Sequence, residues 1–324
     1  MGEQERQQAA GQNEPKLLYH YTDQKGLLGI LGEKSKAIWA TSIRYLNDTS
    51  EGQIILRVVL DEISSRYDSG DLFRQLGIAN DKTINKSESA DAEALTKAIE
   101  MAAWATSLNV FVTSFSEKGN SLSQWRAYSG ESGGYSIGFR PAYLRGIGDH
   151  FLRGRTEVFS SSDALIKCTY LDEREKGVLE HEIQEIVSAY IKEAKPSTGP
   201  PTKREKEGFN SQSALAMKHF IPLGKRYAAF KDAGFSEEAE WRLAILHNPN
   251  CLPADLKIRS GSSMPVPYLE IDLAPVKDII GIDEIYVGPC PYPSEAVRAV
   301  EILLNQRGFK GVQVKYSQIP YRDC

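Results

Sequence analysis

The chain has 324 residues, of which 41% are hydrophobic, 9% aromatic and 25% charged, and its formal net charge is −4. This composition is typical of a globular protein of one or two domains, and it excludes collagenous and wholly disordered chains. The small negative charge argues against a protein that binds duplex nucleic acid by bulk electrostatics. Basic clusters at Lys203–Lys206 and Lys225-Arg226 nevertheless leave a nucleic-acid target open.

The sequence carries no sign of export, membrane insertion or metal binding. No apolar run approaches the roughly 18 residues of a membrane helix, and residues 1–15 are expected to form a disordered tail without the apolar core of a signal peptide. The cysteines are far apart and form no Cys-x-x-Cys pair, which argues against both a zinc site and a disulfide framework. We therefore expect a cytoplasmic protein that uses no metal.

The first half of the chain mixes short strands and helices. A strand at 17–22 ends at Asp23, which can cap a following helix, and the polar cluster Asn47–Glu51 can cap another. Ser121 is predicted to cap a third helix that continues through Tyr128. The remaining predicted strands of this half lie at 37–41, 109–115 and 134–139.

The second half continues the mixture without regular alternation, which predicts an α+β fold. Two polar stretches, 68–91 and 195–210, are predicted surface insertions. We predict helices at 172–193 and 294–307, with helical segments at 211–231. Strands are predicted at 164–170, 238–246, 267–272, 279–287 and 311–315.

The most informative segment contains two carboxylates and a guanidinium on alternate residues. On a strand, Glu238, Glu240 and Arg242 lie on one face, while the apolar residues between them lie on the other. Such an arrangement suits stabilisation of an oxocarbenium-like centre at a glycosidic bond. The alternative is a solvated edge strand whose charges offset one another.

A histidine lies between two tyrosines at the end of the first predicted strand. The imidazole of His20 can bind a ribose hydroxyl, and the ring of Tyr21 can stack on a flat heterocycle. The alternative is a core histidine that is satisfied by the backbone, which is the commoner situation for an isolated histidine.

Other polar residues have an ordinary structural explanation beside a functional one. The hydroxyls of Ser114 and Ser116, at a predicted strand end, can bind a ligand, as can Trp125 on the following amphipathic helix. The segment Gly130–Gly134 matches Gly-x-Ser-x-Gly, with Ser132 as the nucleophile of a serine hydrolase. The helix precedes and the strand follows this segment, which is the reverse of the hydrolase order and favours a simple turn.

Taken in order, five motifs resemble a bacterial family known as domain of unknown function 2971, which is similar to distant members of the ADP-ribosyltransferase fold. The resemblance extends from residue 16 to residue 322. The motifs are Leu18–Thr22, Leu46–Glu51, Ser114–Trp125, Gly134–Phe139 and Glu238–Arg242.

This resemblance implies a single domain over 16–324, with a two-sheet core and helical insertions, that uses NAD as co-substrate and transfers ADP-ribose to an unidentified protein or nucleic acid. It implies catalytic roles for His20, Glu238 and Glu240, and the variant Glu240→Gln is expected to fold but not to turn over. The implied binding residues are Tyr21, Thr22, Asn47, Ser114, Ser116, Trp125, Tyr128 and Arg242. The rival interpretations are a non-catalytic module that binds a nucleotide or a partner, and a serine hydrolase at Ser132. The biological role, whether toxicity, phage defence or housekeeping, stays open.

Overall fold

The computed structural model describes residues 14–32, 36–46, 109–129, 133–155, 164–193, 219, 228–247, 252–261, 263–273 and 281–320. Several predictions fall outside these residues: the cap at Asn47, the nucleophile Ser132, most of the helical segments at 211–231 and both predicted insertions.

The described residues form a mixed α+β structure. The helices are α1 (Gln24–Ile30), α2 (Leu122–Tyr128), α3 (Pro141–Leu152), α4 (Glu173–Glu193) and α5 (Pro293–Gln306), with 3-10 helices at Ile43–Tyr45 and Ala233–Glu238. The strands are β1 (Leu18–Asp23), β2 (Ala37–Ser42), β3 (Asn109–Ser116), β4 (Gly134–Phe139), β5 (Leu165–Lys167), β6 (Thr169–Leu171), β7 (Phe230–Asp232), β8 (Glu240–His247), β9 (Lys257–Ser260), β10 (Pro265–Asp272), β11 (Ile282–Val287) and β12 (Gln313–Tyr316).

Strand β3 is the centre of a ten-stranded sheet whose main order is β12-β11-β4-β1-β3-β2-β10-β9. One edge of β3 pairs with β8 along its whole length, from Asn109 opposite His247 to Ser116 opposite Glu240. The other edge pairs with β2 at Phe111 and with β1 at Ser116. Strands β2 and β1 therefore pair with different parts of this edge, and the sheet divides between them. The residues of β3 that lie between these two pairings have no strand partner on this edge.

The hydrophobic core lies between the sheet and helix α3. Pro141 begins α3, and apolar residues at helical spacing bury one face of the helix. Helix α3 contacts β5, β8 and β10. The core residues on α3 are Tyr143, Leu144, Ile147, Phe151 and Leu152, and they meet Leu243 and Ile245 of β8 in one cluster.

Most of the predicted elements are confirmed. The strands predicted at 17–22, 37–41, 109–115 and 134–139 and both long helices agree with the structure to within one residue at each end. Asp23 caps α1 as predicted, since its carboxylate accepts a hydrogen bond of 2.7 Å from the backbone N–H of Gly26. Helix α3 and strand β9 were not predicted.

One strand prediction and one helix prediction were wrong in their extent. The strand predicted at 164–170 is interrupted at Cys168, because β5 pairs with β8 in the large sheet whereas β6 pairs with β7 in a separate two-stranded sheet. The helical segments predicted at 211–231 run into β7, since Phe230–Asp232 form this strand.

Two further predictions were wrong in detail. Strand β8 begins at Glu240 and not at Glu238, because a 3-10 helix capped by Asp232 continues to Glu238 and Ala239 has a φ of 44°. Ser121 occupies the N-cap position of α2, but its hydroxyl makes no capping bond and contacts the hydroxyl of Ser123 instead.

Among the described residues, no helix is both long and apolar enough to cross a membrane.

Candidate functional site

A pocket opens where β1, β3, α2 and the start of β8 come together. Its lining includes six of the residues predicted from the sequence: His20, Tyr21, Ser114, Tyr128, Glu238 and Glu240. Sequence reasoning did not identify the other three lining residues, which are Tyr19, Phe115 and Gln124.

Four charged side chains form a compact cluster at one wall of the pocket. The carboxylate of Glu240 accepts hydrogen bonds from Arg242 Nε at 2.9 Å and from Lys231 Nζ at 2.7 Å. The same Lys231 nitrogen lies 2.5 Å from Oε2 of Glu238. We call Lys231, Glu238, Glu240 and Arg242 the charged cluster, and its formal charge is zero.

The charged cluster is buried. This excludes the alternative interpretation of the segment as an edge strand whose charged face is solvated. All eight residues of β8 are buried, and the exposed fraction is 4% for Glu240 and 0% for Arg242. Strand β8 is also not an edge strand, because β3 and β5 pair with its two edges. Buried charges of this kind persist only when they are paired and hydrogen-bonded, as they are here.

The carboxyl of Glu240 is ionised at neutral pH. Burial by itself would raise its pKa, but Arg242 and Lys231 outweigh that effect and lower the pKa to about 2. Lys231 is cationic for the converse reason: burial opposes its charge, and the two neighbouring carboxylates outweigh burial and raise its pKa. The pocket therefore contains a fixed negative charge whose counterions belong to the protein.

Glu238 reaches the charged cluster through an unusual backbone conformation. Ala239 adopts a left-handed φ of 44° between the 3-10 helix and β8. A residue other than glycine is uncommon in this region, and the conformation costs about 1 kcal/mol or more. It brings Glu238 and Glu240 to the same lysine although only Glu240 lies on the strand.

Ser116 fixes this backbone and does not line the pocket. Its hydroxyl donates to the carbonyl of Glu238 at 2.6 Å and accepts from the N–H of Lys118 at 3.1 Å. Ser116 is 2% exposed, so water cannot replace its hydroxyl as the partner in either hydrogen bond. Ser116 therefore holds Glu238 in place from behind.

We expect Ser116→Ala to lower the free energy of unfolding by about 1 to 3 kcal/mol, because it removes the buried hydroxyl that donates to the carbonyl of Glu238. Urea unfolding measures this loss. The control is Ser188→Ala in α4, where the hydroxyl donates to the carbonyl of Gln184 in a solvent-exposed bond; this variant should change stability by less than about 0.5 kcal/mol. Equal effects of the two substitutions would contradict the structural role of Ser116.

His20 bridges the division in the sheet. Its Nδ1 donates to the carbonyl of Ser114 at 2.9 Å, at a position of β3 between the pairings with β2 and β1. Burial lowers the pKa of His20, and the bond to Ser114 opposes this only in part, so the ring is neutral at pH 7. In this tautomer Nε2 carries the lone pair and can accept a hydrogen bond from a ligand hydroxyl. His20 thus combines both interpretations: its Nδ1 is hydrogen-bonded to the backbone, and the residue also lines the pocket.

Tyrosine rings form much of the remaining wall. Tyr21 is immobilised because its hydroxyl donates to the carbonyl of Lys118 at 2.6 Å and its ring meets Trp125 edge-on. The ring of Tyr19 fits between Gly119 and Gly138, where a Cβ atom at either glycine would lie within 3 Å of it. Tyr128 is 36% exposed at the end of α2 and lies at the mouth of the pocket.

The other predicted binding residues do not line the pocket. Arg242 lies behind Glu240, where it also donates to the carbonyl of Ala228 at 3.0 Å. Trp125 is 1% exposed, and its indole N–H donates to Asn120. Thr22 is half-buried on β1 opposite Tyr135 of β4.

Lys231 is the residue of the charged cluster that sequence reasoning missed. It lies on a three-residue strand that follows a stretch with a helical pattern, and no motif marks it. The sequence nevertheless contained a signal for a second cation, because burial of both Glu238 and Glu240 requires a positive charge in addition to that of Arg242.

The pocket presents tyrosine rings and the Nε2 acceptor of His20 beside the ionised Glu240. No group of three or more metal-ligating side chains occurs in the part of the chain that the structure describes.

Residues 124–243 match the family described as "Protein of unknown function (DUF2971)". The match begins at Gln124 in α2 and ends at Leu243 in β8, so it includes the whole charged cluster but not β1 with His20. No curated protein and no solved structure matches the chain. The resemblance to this family is thus supported over the matched segment, and the family's description assigns no activity.

Proposed function

We propose that the protein cleaves the glycosidic bond between nicotinamide and ribose in NAD and transfers ADP-ribose to a protein or nucleic-acid acceptor. The observation that carries this proposal is the buried, ionised carboxylate of Glu240 in a pocket lined by His20 and tyrosines. A fixed negative charge lowers the barrier most where positive charge develops in the transition state, as it does on a ribose during loss of nicotinamide.

The chemistry divides between the two carboxylates according to their surroundings. Glu240 has a pKa of about 2 and hydrogen bonds to two cations, so it is a poor base and a poor nucleophile. Its role is to bind the ribose and to stabilise the oxocarbenium-like centre. The side chain of Glu238 is more exposed, at 17%, and it contacts Lys231 through one oxygen, which leaves the other for the acceptor.

The proposed step balances without an oxidant or a metal. The bond between ribose C1′ and the pyridinium nitrogen breaks, and its electron pair neutralises the ring, which leaves as nicotinamide. A lone pair of the acceptor forms the new bond to C1′, and the acceptor's proton passes to Glu238. His20 orients the ribose by accepting a hydrogen bond at Nε2, and the tyrosines hold the nicotinamide ring.

A non-catalytic nucleotide-binding module is the second candidate, and one observation favours it. The charge of Glu240 is fully compensated by Arg242 and Lys231, as expected for a structural ion-pair network. Calorimetry with NAD, together with nicotinamide release in the presence and absence of cell lysate, separates the two: binding without release favours the module. Labelling by a fluorophosphonate probe would instead favour a serine hydrolase, whose nucleophile Ser132 lies outside the described residues.

Tyr128 offers a test of the pocket that does not disturb the core, since it is the most exposed of the lining tyrosines. We expect Tyr128→Ala to weaken NAD binding about threefold to tenfold, because one aromatic contact is lost. Calorimetry measures the dissociation constant, and thermal unfolding checks the fold.

The matched control is Tyr292→Ala, at a tyrosine that is 71% exposed and does not line the pocket. This variant should bind NAD as wild type does. Equal binding by wild type and both variants would place the NAD site elsewhere.

A further inference from the structure

We infer that Lys231 is a positioning residue that holds the carboxylates of Glu238 and Glu240 side by side at the pocket wall. This inference deepens the proposed function and rests on it. The ammonium nitrogen of Lys231 lies 2.5 Å from an oxygen of Glu238 and 2.7 Å from an oxygen of Glu240.

The two cations of the charged cluster have different tasks. Arg242 binds Glu240 through Nε and Nη2 and is anchored by the carbonyl of Ala228, so the carboxylate that it fixes among the described residues is that of Glu240. Among the described residues, Lys231 is the cation that forms an ion pair with Glu238. Two carboxylates so close together repel each other unless a cation lies between them. Lys231 therefore couples the carboxylate that faces the ribose to the carboxylate that faces the acceptor.

The backbone around Lys231 supports this role. Lys231 is on β7, which pairs with β6 in the small sheet, while Glu240 is on the large sheet. The next residue, Asp232, caps the 3-10 helix that ends at Glu238. Lys231 thus connects the segment that carries Glu238 to the strand that carries Glu240, and its side chain is only 6% exposed.

Other titratable groups also face the charged cluster. Tyr170 of β6 accepts a hydrogen bond from the N–H of Glu240 at 2.7 Å, and burial raises the pKa of Tyr170 to about 12. His20 of β1 and Tyr128 of α2 face Glu240 across the pocket, and Cys168 is buried beside Tyr170. Burial holds Tyr170 and His20 neutral, so neither of them can replace the charge of Lys231.

The test compares the pH dependence of kcat for nicotinamide release in wild type, Lys231→Met and Lys231→Arg. Loss of the ammonium removes the positive charge that stabilises both carboxylates, including the proton acceptor Glu238, so the acid limb of the Lys231→Met profile should move upward by about 1 to 3 pH units. Lys231→Arg keeps the charge and should restore the wild-type limb. A uniform loss of kcat at every pH with an unmoved limb would show a merely structural role and overturn the inference.

A double variant keeps the test valid if Lys231→Met does not fold. Lys231→Met combined with Glu238→Gln removes one charge of each sign and restores neutrality in the charged cluster. The pKa of Glu240 in this double variant, followed by the ¹³C shift of its carboxyl, should be higher than in Glu238→Gln, which differs only in keeping the ammonium. An equal pKa in these two variants would overturn the inference.

A second readout separates failure of this inference from failure of the proposed function. If wild type releases no nicotinamide, the proposed function fails, and the titration of Glu240 is followed by the ¹³C shift of its carboxyl, assigned with Glu240→Gln. A higher pKa of Glu240 in Lys231→Met than in wild type supports the positioning role. An unchanged pKa overturns it.

Discussion

Replacing Glu240 by Gln should reduce nicotinamide release at least about 10²- to 10³-fold, the typical loss when one preorganised stabilising group is removed. It should also lower the free energy of unfolding by about 3 to 5 kcal/mol, because it leaves two buried cations without the carboxylate they share. The sequence alone predicted an intact fold for this variant. Burial of Arg242 and Lys231 changes that expectation.

The control separates the catalytic effect from the loss of stability. Glu270→Gln removes a carboxylate that is ion-paired with Lys257 at the protein surface, away from the pocket. It should change stability by about 1 kcal/mol or less and leave activity unchanged. Activity must be compared at a temperature where urea unfolding shows that each variant is folded. Wild-type activity in folded Glu240→Gln would remove Glu240 from the mechanism.

Acid should destabilise wild type more than Glu240→Gln. The pKa of Glu240 is lowered to about 2 in the folded protein, so its ion pairs contribute stability above its unfolded pKa and lose it as the pH falls toward the folded pKa. The contribution is complete above about pH 5, and about 3 kcal/mol of it is lost by pH 2. Other carboxylates titrate in both proteins and cancel in the difference.

Urea unfolding at pH values from about 6 down to 2.5 measures this effect as the stability difference between wild type and Glu240→Gln. The difference should be largest at pH 6 and should shrink by about 2 to 3 kcal/mol at the lowest pH. A difference that is independent of pH would mean that Glu240 titrates at its ordinary pKa and is not held by Arg242 and Lys231.

Local patterns predicted most of the strands, because side-chain alternation and helix caps are properties of a few neighbouring residues. Alternation also placed Glu240 and Arg242 on one face of a strand. Alternation did not predict their burial, because the sequence pattern of a polar face is the same on a solvated edge strand and on a strand whose polar face contacts a buried lysine. That distinction depends on the pairing of β8 with β3 and β5.

The parts of the site that the sequence did not predict depend on contacts between distant segments. The bond from His20 to Ser114 exists because the sheet divides between β1 and β2, which no local pattern marks. Lys231 belongs to a short strand whose partner lies 61 positions earlier, with Tyr170 opposite Lys231. The sequence pattern predicted Glu238 on the strand because Ala239, which adopts the left-handed conformation, is not a glycine and so gives no sign of a turn.

The most direct test of the proposed activity is incubation of wild type and Glu240→Gln with NAD labelled separately in nicotinamide and in adenine, in the presence of cell lysate. The account predicts that wild type releases labelled nicotinamide while the adenine label becomes attached to protein or nucleic acid, and that Glu240→Gln does neither. NAD that binds to wild type but stays intact in the lysate would contradict it.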